Sequence, residues 1–135
     1  MVLATHHVGI AVADLDAAVE TYARLLEAEV EHRDRLEEQG VDAVSLCAGT
    51  GRIELLAPLG TETPVGRFLA KRGPGLHHIA FQVTDVGAEL ERLRRAGTRL
   101  IDETPRRGLF GLEVAFVHPE STGGVLAEFV SDGRT

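Results

Sequence analysis

The chain has 135 residues, 44% hydrophobic and 26% charged, a composition that predicts one soluble folded unit with a core of its own. A net charge of −7 and only five Phe, one Tyr and no Trp argue against nucleic-acid binding. No apolar run approaches a membrane span, and no basic segment leads into an apolar stretch at the N-terminus, so a cytoplasmic protein is expected. The single cysteine, Cys47, excludes an internal disulfide and is expected to be a buried strand residue in a reducing compartment.

In chain order, the first expected strand covers about 5–13, with apolar residues at every second position. Asp14 then caps a helix whose apolar stripe is Leu15, Ala18, Val19, Tyr22, Leu25 and Leu26. A polar strand follows at about 29–36, then a turn at Gln39-Gly40. Val41–Ala48 and Arg52–Ala57 read as a hairpin around Gly49-Thr50-Gly51. Residues 58–76 form a connection, in which Thr63 before Pro64 predicts a short helix over about 65–72. A strand at about 77–83 leads into a helix capped by Asp85, striped by Val86, Leu90 and Leu93 and closed by Gly97. Strands are expected at about 98–102, 111–118 and 124–131.

The order strand, helix and three strands thus occurs twice, and the sequence carries the repeat. Thr5-His6-His7-Val8-Gly9-Ile10-Ala11-Val12-Ala13-Asp14 lies over Leu76-His77-His78-Ile79-Ala80-Phe81-Gln82-Val83-Thr84-Asp85 at a constant offset of 71 residues. Two copies are too few for a solenoid and suggest a fused pair of one module. The expected fold is therefore α+β: two tandem βαβββ modules related by a pseudo-twofold, forming a concave mixed sheet with helices outside. A single domain over 1–135 is expected, with module one at about 1–57, the linker at 58–75 and module two at 76–135.

Strand periodicity separates the side chains into two faces. Val8, Ile10 and Val12 turn toward the first helix, and His7, Gly9 and Ala11 turn away. In the second copy Ile79, Phe81 and Val83 face the helix, while His78, Ala80 and Gln82 face away. Small residues beside each His leave an open surface. His6 and His77 have the opposite parity and are expected to be structural or to support the site from behind.

The last strand of each module adds a carboxylate amid apolar neighbours, Glu54 in Ile53-Glu54-Leu55-Leu56 and Glu128 in Ala127-Glu128-Phe129-Val130. A Glu in such a strand is costly unless it is paired or binds a metal. One alone is equally consistent with a satisfied core or interface residue. Two His and two Glu in matching order point further: docking the modules about the pseudo-twofold would assemble His7, Glu54, His78 and Glu128 into an N₂O₂ set for a divalent ion.

The basic residues are uneven. Residues 1–66 carry four basic and 12 acidic side chains, residues 67–135 ten and nine, and 13 of the 14 basic residues are Arg. The later ones read first as a solvated face balanced by nearby acids and second as a local anion site.

The βαβββ repeat with His…Glu…His…Glu resembles the vicinal oxygen chelate superfamily over essentially the whole chain. Ile53–Gly60, Gly73-Pro74-Gly75-Leu76-His77-His78-Ile79-Ala80-Phe81 and His118–Glu128, with Gly-Gly-Val-Leu-Ala-Glu at its end, resemble the methylmalonyl-CoA epimerase family. The resemblance implies a metal-dependent isomerase that interconverts the (2R) and (2S) epimers of methylmalonyl-CoA in propionate metabolism. It carries over His7, Glu54, His78 and Glu128 as ligands of a divalent ion (Co, Mn, Ni, Zn or Mg), in a cytoplasmic homodimer. Some members have an additional Glu, proposed as a base, in the strand after the Gln-Gly turn. Ala43 stands there in this chain, and Asp42 beside it has the wrong parity. Glu54 and Glu128 are thus the expected bases. Lys71, Arg72, Arg106 and Arg107, with Ser121 and Thr122, are the candidates for holding the acyl-CoA. Glyoxalase I on the same scaffold, an extradiol dioxygenase with two His and one Glu, and a non-catalytic binding protein are the alternatives.

Overall fold

Two aspartates set the helices of the structure, a computed structural model that describes residues 1–132. Asp14 accepts a hydrogen bond from the Ala17 N–H (3.1 Å) and Asp85 from the Ala88 N–H (3.0 Å). Each satisfies one of the donors a first helical turn leaves open. The helices that follow are α1 (Leu15–Leu26) and α3 (Val86–Arg95). Thr63 caps the linker helix α2 (Pro64–Arg72) in the same way, through the Gly66 N–H (3.0 Å), with Pro64 in its first turn.

Among the described residues the strands are β1 (Val2–Ala11), β2 (Val30–Leu36), β3 (Val41–Ala48), β4 (Gly51–Pro58), β5 (Gly75–Val83), β6 (Arg106–Arg107), β7 (Glu113–Val117) and β8 (Ala127–Ser131). The chain divides into two compact units, His7–His77 and a second made of Met1–His6 with the residues from His78 onward. In the second unit the Met1 ammonium pairs with Glu89 of α3 at 2.7 Å.

In the first unit β1 lies parallel to β4, β4 antiparallel to β3 and β3 antiparallel to β2. The second unit repeats this, with β5 parallel to β8, β8 antiparallel to β7 and β7 antiparallel to β6. The fold is α+β, with the βαβββ order present twice. One face of each sheet is apolar and lies under its helix. Val12, Val44, Leu46, Leu55 and Ala57 pack with Leu15, Ala18, Val19 and Tyr22 of α1. Val83, Ala115, Val117 and Phe129 pack with Val86, Leu90 and Leu93 of α3.

The structure corrects several expectations. The α1 stripe stops short: Leu25 and Leu26 are exposed, the chain turns through a left-handed Glu27 (φ 49°), and Ala28 enters the core instead. Cys47, expected inside, is exposed. The strand expected at 98–102 is reduced to one bridge, Leu100 to Val117, and the paired strand is the two-residue β6. Here the Asp102 carboxylate takes the Phe116 N–H (2.8 Å), and Pro105 has no N–H to offer a neighbouring strand. The last strand begins at Ala127 instead of 124, because Gly123 (φ 72°) and Gly124 (φ 105°) have left-handed backbones that no extended strand accommodates.

Leu55 is fully buried at the centre of the first core. Leu55→Ala is expected to lower unfolding stability by about 2–5 kcal/mol, the cost of a large-to-small core change. A urea-denaturation series that found less than about 1 kcal/mol would mean that α1 does not rest on this residue.

Candidate metal and substrate site

On the face of each sheet away from its helix, parallel pairing sets Glu54 opposite Gly9 and Glu128 opposite Ala80. In each case a histidine stands two residues earlier on the same face, His7 and His78. Gly9 and Ala80 are small, so the His ring and the carboxylate meet across them. His7 Nε2 is 3.2 Å from Glu54 Oε2, and His78 Nε2 is 3.3 Å from Glu128 Oε1. All four residues are buried, none more than 7% exposed.

An imidazole and a carboxylate so placed have the donor types of a divalent transition-metal site. The spacing agrees. Two donors held about 2.1 Å from one ion, at an angle near that of tetrahedral or octahedral coordination, stand about 3.0–3.4 Å apart. Each His–Glu pair thus has the chemistry and separation of two ligands in one coordination sphere, and the residues fit a divalent ion.

The surroundings of the pairs differ. In the first unit Ser45, cross-strand from Glu54 and buried, donates its hydroxyl to Glu31 of β2 (3.1 Å). Arg52 donates Nε to the same Glu31 oxygen (2.7 Å). The Arg52 hydrogen bond holds the Glu31 carboxyl below its ordinary range, against an opposing push from burial and with further help from the Arg52 charge and the Ser45 hydroxyl. In the second unit the Phe116 ring stands edge-on to His78, with centroids 5.7 Å apart.

A family model for the glyoxalase/bleomycin resistance protein/dioxygenase superfamily matches residues 6–116. The ethylmalonyl-CoA/methylmalonyl-CoA epimerase of Cereibacter sphaeroides is 39% identical over 125 residues, covering 91% of this chain and 93% of that one. The crystal structure of methylmalonyl-CoA epimerase from Mycobacterium tuberculosis aligns over 96% of this chain and 88% of its own, with 42% identity and a TM-score of 0.92. This chain belongs to the methylmalonyl-CoA epimerase family of that superfamily. A variant of the Streptomyces coelicolor methylmalonyl-CoA epimerase, in complex with 2-nitronate-propionyl-CoA, aligns over 99% of this chain and all of its own, with 39% identity and a TM-score of 0.94.

Ala43 stands at the position for which the resemblance implies an additional Glu in some members, and the structure gives its surroundings. Ala43 is fully buried, cross-strand from Asp34 on one side and Leu56 on the other. Asp42 has the opposite parity and lies on the helix side, where Arg33 binds it (3.2 Å) together with Asp16 of α1 (3.0 Å).

The substrate-binding candidates are scattered. Arg72 stacks over Phe68 of its own helix, with the guanidinium carbon 5.8 Å from the ring centre, and Lys71 beside it is exposed. The Ser121 hydroxyl both donates to the Arg99 carbonyl and accepts the Arg99 N–H, each at 3.0 Å. The Thr122 hydroxyl is bound to the Pro119 and Val125 carbonyls. Both hydroxyls thus hold the turn before β8. Arg107 pairs in register with Glu113. Arg106 is tied to Asp102 (3.1 Å) and lies over the Phe116 ring. His77 stands edge-on to Phe68 at 4.9 Å, a packing role in keeping with its parity.

Sequence reasoning missed Ser45, Glu31, Arg52, Asp102 and Phe116. Parity alone would have found Ser45, two residues after Ala43, and Arg52, two before Glu54. Nothing in the sequence pairs Asp102 with the Phe116 N–H.

The Glu31–Arg52 contact predicts a pH dependence. A carboxyl depressed in the folded state contributes stability above its unfolded value, and that stability is lost as pH falls through the folded value. Arg52→Gln is expected to cost about 1 kcal/mol at neutral pH, a partly exposed ion pair being worth little more. The difference from the parent should shrink as the solution is acidified below the ordinary carboxylate range. Urea midpoints at several pH values would measure it, and a pH-independent difference would remove Glu31 from the account.

Proposed function

We propose that this protein is a divalent-metal-dependent epimerase that interconverts (2R)- and (2S)-methylmalonyl-CoA, with His7, Glu54, His78 and Glu128 as the ligand set. The observation that carries the reading is the repeated buried His–Glu pair at 3.2 and 3.3 Å, in a chain about 40% identical to epimerases over nearly its full length. The relatives described above carry epimerase names, which favours this activity over glyoxalase I. An extradiol dioxygenase needs only one carboxylate beside its two histidines. The same proposal takes the chain as one domain of two modules joined by residues 58–75, working as a cytoplasmic homodimer. For the dimer the support is family analogy. No helix among the described residues is long and apolar enough to cross a membrane.

The reaction removes the proton between a thioester and a carboxylate and returns it on the other face. A bound divalent ion would supply the electrostatic stabilisation that the developing enolate charge requires. Glu54 and Glu128 supply the bases. Each is buried against an imidazole, and each comes from a different module, so one carboxylate serves each face of the planar intermediate. With a methyl group at position 43, no carboxylate at that place competes for the proton. Arg107, in register with Glu113, has the parity opposite to Arg106 and faces the helix side. The exposed Lys71 and Arg72 of α2 are thus left to attract the CoA phosphates, where they act on ground and transition states alike.

His7→Ala and His78→Ala are each expected to abolish tight binding of the divalent ion along with turnover, as metal analysis after dialysis would reveal. A protein stripped of metal by a chelator that stayed fully active would defeat the reading.

Glu54→Gln and Glu128→Gln retain an oxygen ligand but lose the base, so turnover should fall roughly 10²–10⁴-fold. Each variant should exchange the α-proton of only one purified epimer with solvent deuterium. NMR in D₂O follows both epimers directly. Normal epimerisation by Glu54→Gln would reduce Glu54 to a ligand.

A further inference from the structure

Arg106 is built differently from the other basic residues. Its Nε donates to Asp102 Oδ1 at 3.1 Å, while Asp102 Oδ2 accepts the Phe116 N–H at 2.8 Å. One carboxylate thus ties the arginine to the backbone of the strand that carries Phe116. The guanidinium carbon lies 5.5 Å from the centre of the Phe116 ring, a cation–π stack that orients its plane. Phe116 in turn meets His78 edge-on at 5.7 Å. Parity agrees with these contacts: Arg106 pairs with Val114, and Phe116 pairs with Glu128, so all four lie on the face that carries His78.

Both Nη groups of Arg106 are without a hydrogen-bond partner among the described residues, and the side chain is 37% exposed. A guanidinium anchored through Nε, stacked on a ring and offering two parallel N–H donors is prepared for a carboxylate. It also stacks on the ring that meets His78, next to which the acyl group reacts in the epimerase reading. The diphosphate of CoA lies at the far end of the long pantetheine arm from that group. Resting on the epimerase reading above, the geometry points to Arg106 as the residue that grips the free carboxylate of the substrate. It thereby selects malonyl-type thioesters over monocarboxylic acyl-CoAs. Asp102 is a positioning residue that holds the guanidinium for this contact.

Propionyl-CoA is methylmalonyl-CoA without its carboxylate, so the pair isolates the contact. Dissociation constants for both are measured by calorimetry on the metal-loaded protein, for the parent, Arg106→Ala and Arg106→Lys, alongside α-proton exchange in D₂O and thermal melting. The parent is expected to prefer methylmalonyl-CoA. Arg106→Ala should weaken that ligand about 10- to 100-fold, the range for a hydrogen bond to a charged group, and change propionyl-CoA less than twofold. Arg106→Lys, which keeps the charge and loses the fork, should fall between, and it carries the test if the Ala variant melts early. Equal losses for the two ligands would overturn the inference in favour of a contact to CoA itself, and no loss for either would overturn it outright. A parent that neither exchanges the α-proton nor prefers methylmalonyl-CoA would instead defeat the epimerase reading, and the inference with it.

Discussion

The structure depends on keeping a carboxylate and an imidazole together on a buried sheet face, and it does so twice. An isolated carboxylate in such a place loses several kcal/mol of hydration. Glu54 and Glu128 have His7 and His78 within 3.2 and 3.3 Å to offset that loss. The pairing constrains its neighbours. The residue opposite each Glu must be small for the ring to reach across, and it is Gly9 in one unit and Ala80 in the other. The alternate residues must be apolar, because they form the floor under a helix. The aspartate caps then start each helix on the apolar side, leaving the other face for polar chemistry.

Around this shared arrangement the two units have diverged. The first supports its carboxylate strand with the Ser45–Glu31–Arg52 contacts. The second surrounds its histidine with an aromatic ring, an arginine and an aspartate. Repeats built on one backbone can thus separate their tasks. The parallel pairing that brings each His to its Glu is common to both, while the side chains packed around each pair differ.

The richness in arginine has a mostly local explanation. Arg92, Arg94 and Arg95 on α3 engage Glu89, Glu91 and Glu103, and Arg99 engages Glu120. These contacts are largely exposed, so each contributes little to stability. They account for the near-neutral second half of the chain as a solvated face balanced by its own acids. Arg106 stands apart because its guanidinium is fixed by a half-buried network on the site face.

Period-two alternation and helix capping are local properties, and the sequence by itself determined what depends on them. These are the βαβββ order, the parity that sets His7 and His78 apart from His6 and His77, and the assignment of Asp42 to the helix side. The recurrence of Glu in the last strand of each module was legible for the same reason. What only the tertiary structure decided depends on partners distant in the chain. Asp102 takes the N–H of Phe116 and so cuts the strand expected at 98–102 to a single bridge. Leu25, Leu26 and Cys47 fit an apolar pattern and are nonetheless exposed, because a stripe records which way a residue points and not whether another element covers it. The place of Arg106 over Phe116 follows from a carboxylate four residues before it and a ring ten residues after it, a meeting no local period encodes.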